Sequence, residues 1–219
     1  MITAVLFDMD GVLIDSEPGY NRADAAWCDK LGIPFGQKEI TAITGSNDLV
    51  IGRLIKSWHP WLPFTEEELA AQYGDNLYAS LVRDVTALIP GAEAWIRALA
   101  RRGVRLAIGS SSTRRMVSHV VEAFGLGRWM DCVVTGDDVP LGKPHPDIYN
   151  LCAKQLGAAP DNCLVLEDSI NGILAAHAAG MRVAAYTGTN RHGLDLSGAD
   201  LQFDSFDAAH YQRLFGEAM

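Results

Sequence analysis

Ile2-Thr3-Ala4-Val5-Leu6-Phe7-Asp8-Met9-Asp10-Gly11 opens the chain with an apolar run that stops at two carboxylates one residue apart. If the run is a strand, side chains alternate with period two, so Asp8 and Asp10 point to one side where the strand leaves its sheet. Convergent carboxylates at such a place point to a metal or a reaction. Asp10-Gly11 is equally a hairpin-turn dipeptide, with Val12-Leu13-Ile14 as the returning strand. These residues alone leave both open.

Working outward, the second half of the chain repeats a pattern of strand, loop and helix. Short apolar runs at 104–108, 132–134, 163–166 and 183–185 read as strands, and the run at 2–7 is another. Between them, apolar spacing predicts helices over 92–102, 114–124, 146–156 and 170–179, each followed by a glycine where a left-handed terminal residue is wanted. Strands that are apolar throughout and alternate with helices imply a parallel sheet covered on both faces. The expected fold class is therefore α/β, a doubly wound parallel sheet.

The stretch from 15 to 88 differs. It offers helical segments near 19–31, 48–58 and 66–85, no convincing strand, and the breaker-rich link His59-Pro60-Trp61-Leu62-Pro63. An all-helical insertion after the first strand of such a sheet is most simply a separate lid. The expected domains are a core of 1–14 and 89–219 and a helical cap of 15–88, joined near 13–17 and 87–91.

At 219 residues, with 48% apolar and 21% charged residues, the composition is that of a soluble globular protein. A net charge of −9 argues against nucleic acid and anionic membrane as partners, since both need a positive surface. Any anionic substrate must then meet local positive charge at the site. Cys28, Cys132, Cys152 and Cys163 lack paired metal spacing and read as reduced core residues. No apolar run is long enough to span a bilayer and Asp8 comes too early for a signal peptide, so a cytosolic enzyme is the expectation.

In doubly wound sheets the ligand lies beyond the carboxyl ends of the strands. The first strand delivers Asp8 and Asp10; the second delivers Gly109-Ser110-Ser111-Ser112-Thr113; the third leads to Lys143-Pro144; the fourth delivers Glu167-Asp168. Each has an ordinary alternative. Ser112 or Thr113 can cap the helix over 114–124, Asp168 or Ser169 the helix over 170–179, and Lys143 can be a solvated loop lysine, though Pro144 and Pro146 stiffen its loop. The coincidence decides: hydroxyls, a lysine and four carboxylates at four strand ends suit a phosphate and a divalent cation. Hard oxygen ligands favour magnesium. Beside that cation and Lys143, Asp8 stays ionised and can attack phosphorus, while Asp10 is close enough to protonate a departing alkoxide and then deprotonate water.

Asp8-Met9-Asp10-Gly11-Val12, Ser110, Lys143-Pro144 and Glu167-Asp168 stand in the order of the four motifs of the haloacid dehalogenase superfamily, and the chain resembles that superfamily over essentially its whole length. Asp15-Ser16-Glu17 and the helical insert are similar to the subgroup of β-phosphoglucomutase and the small sugar-phosphate phosphatases. The resemblance implies an aspartyl-phosphate on Asp8 and Asp10 as general acid/base. It implies that Ser110, with Ser111, and Lys143 hold the phosphoryl group. Magnesium would be bound by Asp8, the Asp10 carbonyl and Asp168, with Glu167 a direct ligand or one step removed. Dehalogenases of the superfamily typically lack the second aspartate of the first motif, so Asp10 argues for phosphate chemistry.

The departures are as informative. Where β-phosphoglucomutase carries a histidine soon after the first motif, this chain has Gly19-Tyr20. Where its lid carries a lysine and an arginine flanking the glycine that matches Gly45, this chain has Thr44 and Asp48. Asp48 would repel a second phosphate by about 1 kcal/mol at partly screened distances. Arg53, further along the helix, could compensate or be a solvated arginine. Tyr20, Asn21, Gly45, Ser46 and Asn47 are candidates for contacting a polyhydroxylated leaving group, and Trp27, Trp58 and Trp61 are read as lid core. Lid closure about the two linkers would exclude water.

The expected activity is a magnesium-dependent phosphatase acting on a small phosphorylated metabolite, a sugar phosphate for instance. The oligomeric state is left open, with a monomer expected. A phosphohexose mutase is the alternative, and a noncatalytic metabolite-binding member of the fold is a further one.

Overall fold

The computed structural model describes all residues other than 1, 35, 37, 38, 40–42, 44–47, 192, 217 and 218. The opening stretch sets the architecture, since its strand β1 (Ala4–Phe7), buried at all four positions, lies in the middle of a parallel sheet. The other strands are β2 (Arg105–Gly109), β3 (Cys132–Val134), β4 (Cys163–Glu167), β5 (Arg182–Tyr186) and β6 (Leu201–Phe203), in the order β3-β2-β1-β4-β5-β6. Phe7 lies beside Ile108 on one neighbour and Leu166 on the other, so β1, β2 and β4 reach the same edge together. In this order the chain winds one way from β1 and the other way from β4, and the crevice between their carboxyl ends is the place where such sheets bind ligands.

The described residues divide into two compact units, 1–15 with 87–219, and 16–86. The first holds the sheet. Helix α6 (Asp147–Leu156) packs on β1, β2 and β3, and α7 (Ile170–Ala178) packs on β4 and β5. They cover Ala4, Leu6, Ala107, Val165 and Val183, which alternation places on one face. Val5 and Phe7 point to the other. Trp95, from α4 (Ala92–Arg101), stacks on Phe203 at 5.2 Å and meets Phe206, Tyr211 and Phe215 edge-on. Helix α5 (Arg114–Ala123) follows β2, and α8 (Ala208–Phe215) supplies Tyr211 and Phe215. Strand β6 and α8 lie beyond the elements expected from sequence, because Leu201-Gln202-Phe203 is too short and too mixed to register as an apolar run.

The second unit is helical: α1 (Glu17–Leu31), α2 (Asp48–Trp58) and α3 (Glu66–Asp84). Both α1 and α2 pack against α3. A reciprocal capping box opens α3, with Glu68 N donating to Thr65 Oγ1 at 3.2 Å and Thr65 N to Glu68 Oε2 at 2.8 Å. At Gly52 the helices touch so closely that a methyl group would collide with the Glu66 carbonyl. Trp27 is buried edge-on against Tyr73 at 5.6 Å, whereas Trp58 is only half-buried. Trp61 corrects the expectation of a lid-core residue: it is 67% exposed, lifted outward by the Pro60–Pro63 loop with its ring resting on His59.

Smaller corrections concern element ends. Helix α1 begins two residues before the expected start, with Pro18 in its first turn, where a missing N–H costs nothing. Helix α3 stops at Asp84 because Val85 is extended. Strand β2 is displaced one residue, and β4 takes in Glu167. The hairpin alternative is excluded: Leu13 N and Ile14 N both donate to Met9 O, and Gly11 N donates to Ile14 O, a tight turn with Val12, Leu13 and Ile14 fully buried. Leu13 O then accepts from Ile89 N at 2.8 Å, and Asp15 forms a two-pronged ion pair with Arg191 at 2.7 and 2.5 Å. All four cysteines are free. Among the described residues no helix is long and apolar enough to cross a membrane.

Candidate active site

Asp8 is the first residue past β1, and its N–H donates to Leu166 O at 2.9 Å, which fixes it to the end of β4. Gly11, next to Asp10 in the turn, has φ +79°, a conformation that disfavours any side chain. A methyl group there would also collide with the Asp168 carboxylate, so the glycine makes room for a β4-end acid beside the β1-end acids. Thr189 Oγ1 donates to Gly11 O at 2.7 Å and holds the turn from the loop after β5.

The other strand ends close on this pair. Ser110 is buried, its N–H bound to Val134 O and its Oγ accepting from Ser112 N at 3.0 Å. Ser111 beside it is exposed. Ser112 is not the side-chain cap that its position allows: its Oγ donates to Asp10 Oδ2 at 2.6 Å. Thr113 occupies the cap position of α5 without a side-chain bond. Asp10 thereby has a hydroxyl partner of its own, while a lysine grips Asp8.

That lysine, Lys143, is no solvated loop residue. Only 9% exposed, it donates to Asp8 Oδ1 at 2.7 Å and to Glu167 Oε1 at 2.6 Å, with its ammonium 4.9 Å from the centre of the Tyr149 ring. Glu167, fully buried at the last position of β4, accepts from five donors: Lys143 and Tyr149 OH (2.8 Å) on Oε1, and Asp168 N, Ser169 N and Ser169 Oγ (each 2.9 Å) on Oε2. Ser169 caps α7 through Gly172 N at 3.0 Å, the helix-start alternative for this segment, alongside its contact to Glu167.

The charges are strongly coupled. Burial, followed by the charges of Glu167 and Asp10, outweighs Lys143 and pushes the Asp8 carboxyl up to about 7. Burial and then the charges of Glu167 and Asp8 hold Asp168 well above the usual carboxylate range. Burial would raise Glu167 too, but Lys143 and the hydrogen-bond donors bring it below its ordinary value. Burial opposes the charge on Lys143, yet Asp8 and Glu167 keep it protonated. An excess of buried negative charge beside one lysine is a setting in which a divalent cation is favourable. Oxygens of Asp8, Glu167 and Asp168 lie within 4.8 Å of one another, and they are hard donors of the kind magnesium takes.

The four strand ends thus meet within the first unit. In the second, Tyr20 and Asn21 are half-buried on α1, Arg53 pairs with Glu66 at 3.3 Å, and Asp48 lies against Gly74. Gly45, Ser46 and Asn47, together with Thr44, fall outside the described residues. Two contributors went unread in the sequence. Thr189 follows β5 and yields to the same strand-end rule. Tyr149 carries no such signal: in Ile148-Tyr149 it reads as the apolar face of a helix.

A doubly wound sheet with these acids and this lysine at its switch point defines a family, and the match is direct: residues 2–180 fit the haloacid dehalogenase-like hydrolases, to which this chain belongs. Among individual relatives, the chain is 33% identical over 184 residues to hexitol phosphatase B of Escherichia coli K12, covering 83% of this chain and 82% of that protein. It is 29% identical to the phosphoglycolate phosphatase of the same strain, with 94% and 90% covered. The crystal structure of CbbY from Rhodobacter sphaeroides in complex with phosphate superposes with a TM-score of 0.80 at 29% identity, over 94% of this chain and 95% of that one.

Proposed function

We propose that this protein is a magnesium-dependent phosphomonoesterase working through a phosphoenzyme on Asp8. The observation that carries the reading is the buried contact of Lys143 with Asp8 at 2.7 Å, with Asp10 held separately by Ser112 at 2.6 Å. Two carboxylates in different settings can take different roles. Asp8, with Oδ1 held by the Lys143 ammonium, keeps its other oxygen for attack as a nucleophile. Asp10, hydrogen-bonded to a hydroxyl, is suited to proton transfer.

Asp8, the Asp10 carbonyl and Asp168 would hold the magnesium, which when bound neutralises charge on the phosphoryl oxygens. An Asp8 oxygen bonds to phosphorus as the ester oxygen leaves with a proton from Asp10. Asp10 then takes a proton from water as that water attacks phosphorus, the Asp8 bond breaks, and inorganic phosphate departs. Lys143 and Ser110 would bind the phosphoryl oxygens throughout.

The leaving group is proposed to be a small polyhydroxylated metabolite. Support comes from the relatives, one named a hexitol phosphatase and another, CbbY, crystallised with xylulose 1,5-bisphosphate. Asp48 stands where a mutase of the subgroup would bear an arginine, and that departure argues against the mutase reading. With magnesium, a panel of hexitol phosphates, sugar phosphates and phosphoglycolate should release inorganic phosphate, fastest from a neutral polyol ester, and Asp8→Asn should abolish release while the circular dichroism stays unchanged. Isomerisation of β-glucose 1-phosphate in place of its hydrolysis, or full activity in Asp8→Asn, would overturn the proposal.

A further inference from the structure

Two of the four free thiols meet where α6 crosses the edge strand β3. Cys132 opens β3 in register with Ala107, so both side chains lie on the face of the sheet that α6 covers, and Cys152 comes down from α6 onto the same face. The two thiols share a hydrogen bond donated by Cys152, and Cys132 Sγ, when protonated, reaches Cys152 O at 3.9 Å. The shared bond is the largest influence on Cys132 and holds its thiol below the ordinary range, against burial and the charge of Asp131. The same bond, followed by burial, pushes Cys152 up. Cys132 is half-buried and Cys152 fully buried, so the thiol with more thiolate character is the one a small oxidant can reach, and its neighbour stands directly behind it. The other two cysteines are placed differently: Cys163 Sγ donates to Ala159 O at 3.4 Å, and Cys28 belongs to the second unit, where burial pushes its thiol up to about 12.

We infer that Cys132 and Cys152 are a peroxide-sensitive pair that closes to an intramolecular disulfide and lowers turnover at the adjoining strand end. The Cys132 thiolate attacks one peroxide oxygen; an S–O bond forms, the O–O bond breaks, and the released hydroxide takes a proton to leave as water. The Cys152 sulfur then attacks the sulfenic sulfur; the S–S bond forms, the S–O bond breaks, and the Cys152 proton leaves with that hydroxyl as a second water. Two thiols are oxidised and one hydrogen peroxide is reduced. The route to the site is the other contact of Cys152: its Sγ donates to Ile108 O at 3.7 Å, and a methyl group on Gly109 would touch it at 3.2 Å, one residue before Ser110. A disulfide brings its sulfurs to about 2 Å, so Cys152 swings toward β3 and withdraws from the end of β2 that carries Ser110. Bond formation stands without the phosphatase reading; the loss of turnover rests on it.

In the test, the reduced enzyme is exposed to hydrogen peroxide, cleared with catalase, alkylated in denaturant and digested with pepsin for mass spectrometry. Wild type should lose the mass of two hydrogens, with fragmentation placing the disulfide between Cys132 and Cys152. Its kcat/KM should fall about tenfold, as when a binding group is displaced, and return with dithiothreitol. Cys132→Ala should keep its basal turnover through the same treatment. Thiols that stay fully alkylated, oxygen added without a cross-link, a cross-link to Cys28 or Cys163, or one between two chains would overturn the pair. The correct cross-link with unchanged kcat/KM, or equal loss of turnover in Cys132→Ala, would overturn the coupling to the site. A reduced enzyme without turnover on any ester would count against the proposed function, while the mass still decides the pair.

Discussion

Gly172 shows how a single missing side chain sustains the site. Replacing a glycine inside a helix by alanine ordinarily stabilises by about 0.5–1 kcal/mol. Here the added methyl would overlap the buried Glu167 carboxylate and displace an acid that holds Lys143. Gly172→Ala should therefore destabilise, by about 1–3 kcal/mol as for other overpacked positions, read as a lower urea midpoint with an unchanged slope. A raised midpoint would show that the acid moves aside at no cost. At this scale the sequence discloses chemistry better than support. Asp8, Asp10, Lys143 and Asp168 are legible as a cluster because each follows a strand of one parallel sheet, whose carboxyl ends lie together. Tyr149 and Gly172 are not, since an aromatic residue on a helical face and a glycine in a helix look like packing until the partner across the fold is known. Ser112 was legible as a polar residue after β2 but not as Asp10's partner, because a capping role suits a serine there equally well.

Among the elements, α1 carries an unusual load. Asp24 lies on its buried face, 6% exposed, and Asp24 Oδ1 has no hydrogen-bond partner among the described residues. Burial raises its carboxyl from 3.8 to about 7, so between these values the folded state holds a proton that the unfolded chain releases. Stability contributed by the protonated acid is complete below about pH 4 and is lost as pH rises through 7. Asp24→Asn removes that loss. The variant should match wild type in urea near pH 4 and exceed it near pH 8 by a few kcal/mol; a constant difference across that range would mean Asp24 titrates normally. Sequence periodicity found the helices of the second unit and most of the strands, erring by a residue or two where a proline opens α1 or an extended Val85 ends α3. It passed over β6 and α8, which are short and gain their stability from the aromatic cluster around Trp95, a tertiary contact that no local pattern records.

For the molecule as a whole, the strand order turns a linear series of motifs into a site. Asp8 and Glu167 stand at the ends of neighbouring strands, so residues far apart in sequence share one lysine. A chain of net charge −9 thereby holds the Lys143 ammonium at a buried point among acids, where the charge is locally matched. The α/β class and the edge of the sheet where the strand-end acids and the lysine gather were legible from the alternation of apolar strands with glycine-terminated helices. The identity of the leaving group was not, because the residues the sequence offers for contacting it, Tyr20, Asn21, Gly45, Ser46 and Asn47, are of types that suit many hydroxylated molecules. The central claim is that Asp8 carries the phosphoryl group during turnover. Its most direct test is acid quenching of the enzyme at steady state with magnesium and its best ester, followed by mass spectrometry of the peptide containing Asp8. That peptide should gain the mass of one phosphoryl group, located on Asp8 and missing in Asp8→Asn; an unmodified Asp8 throughout turnover, or a phosphoryl group on another residue, would contradict the account.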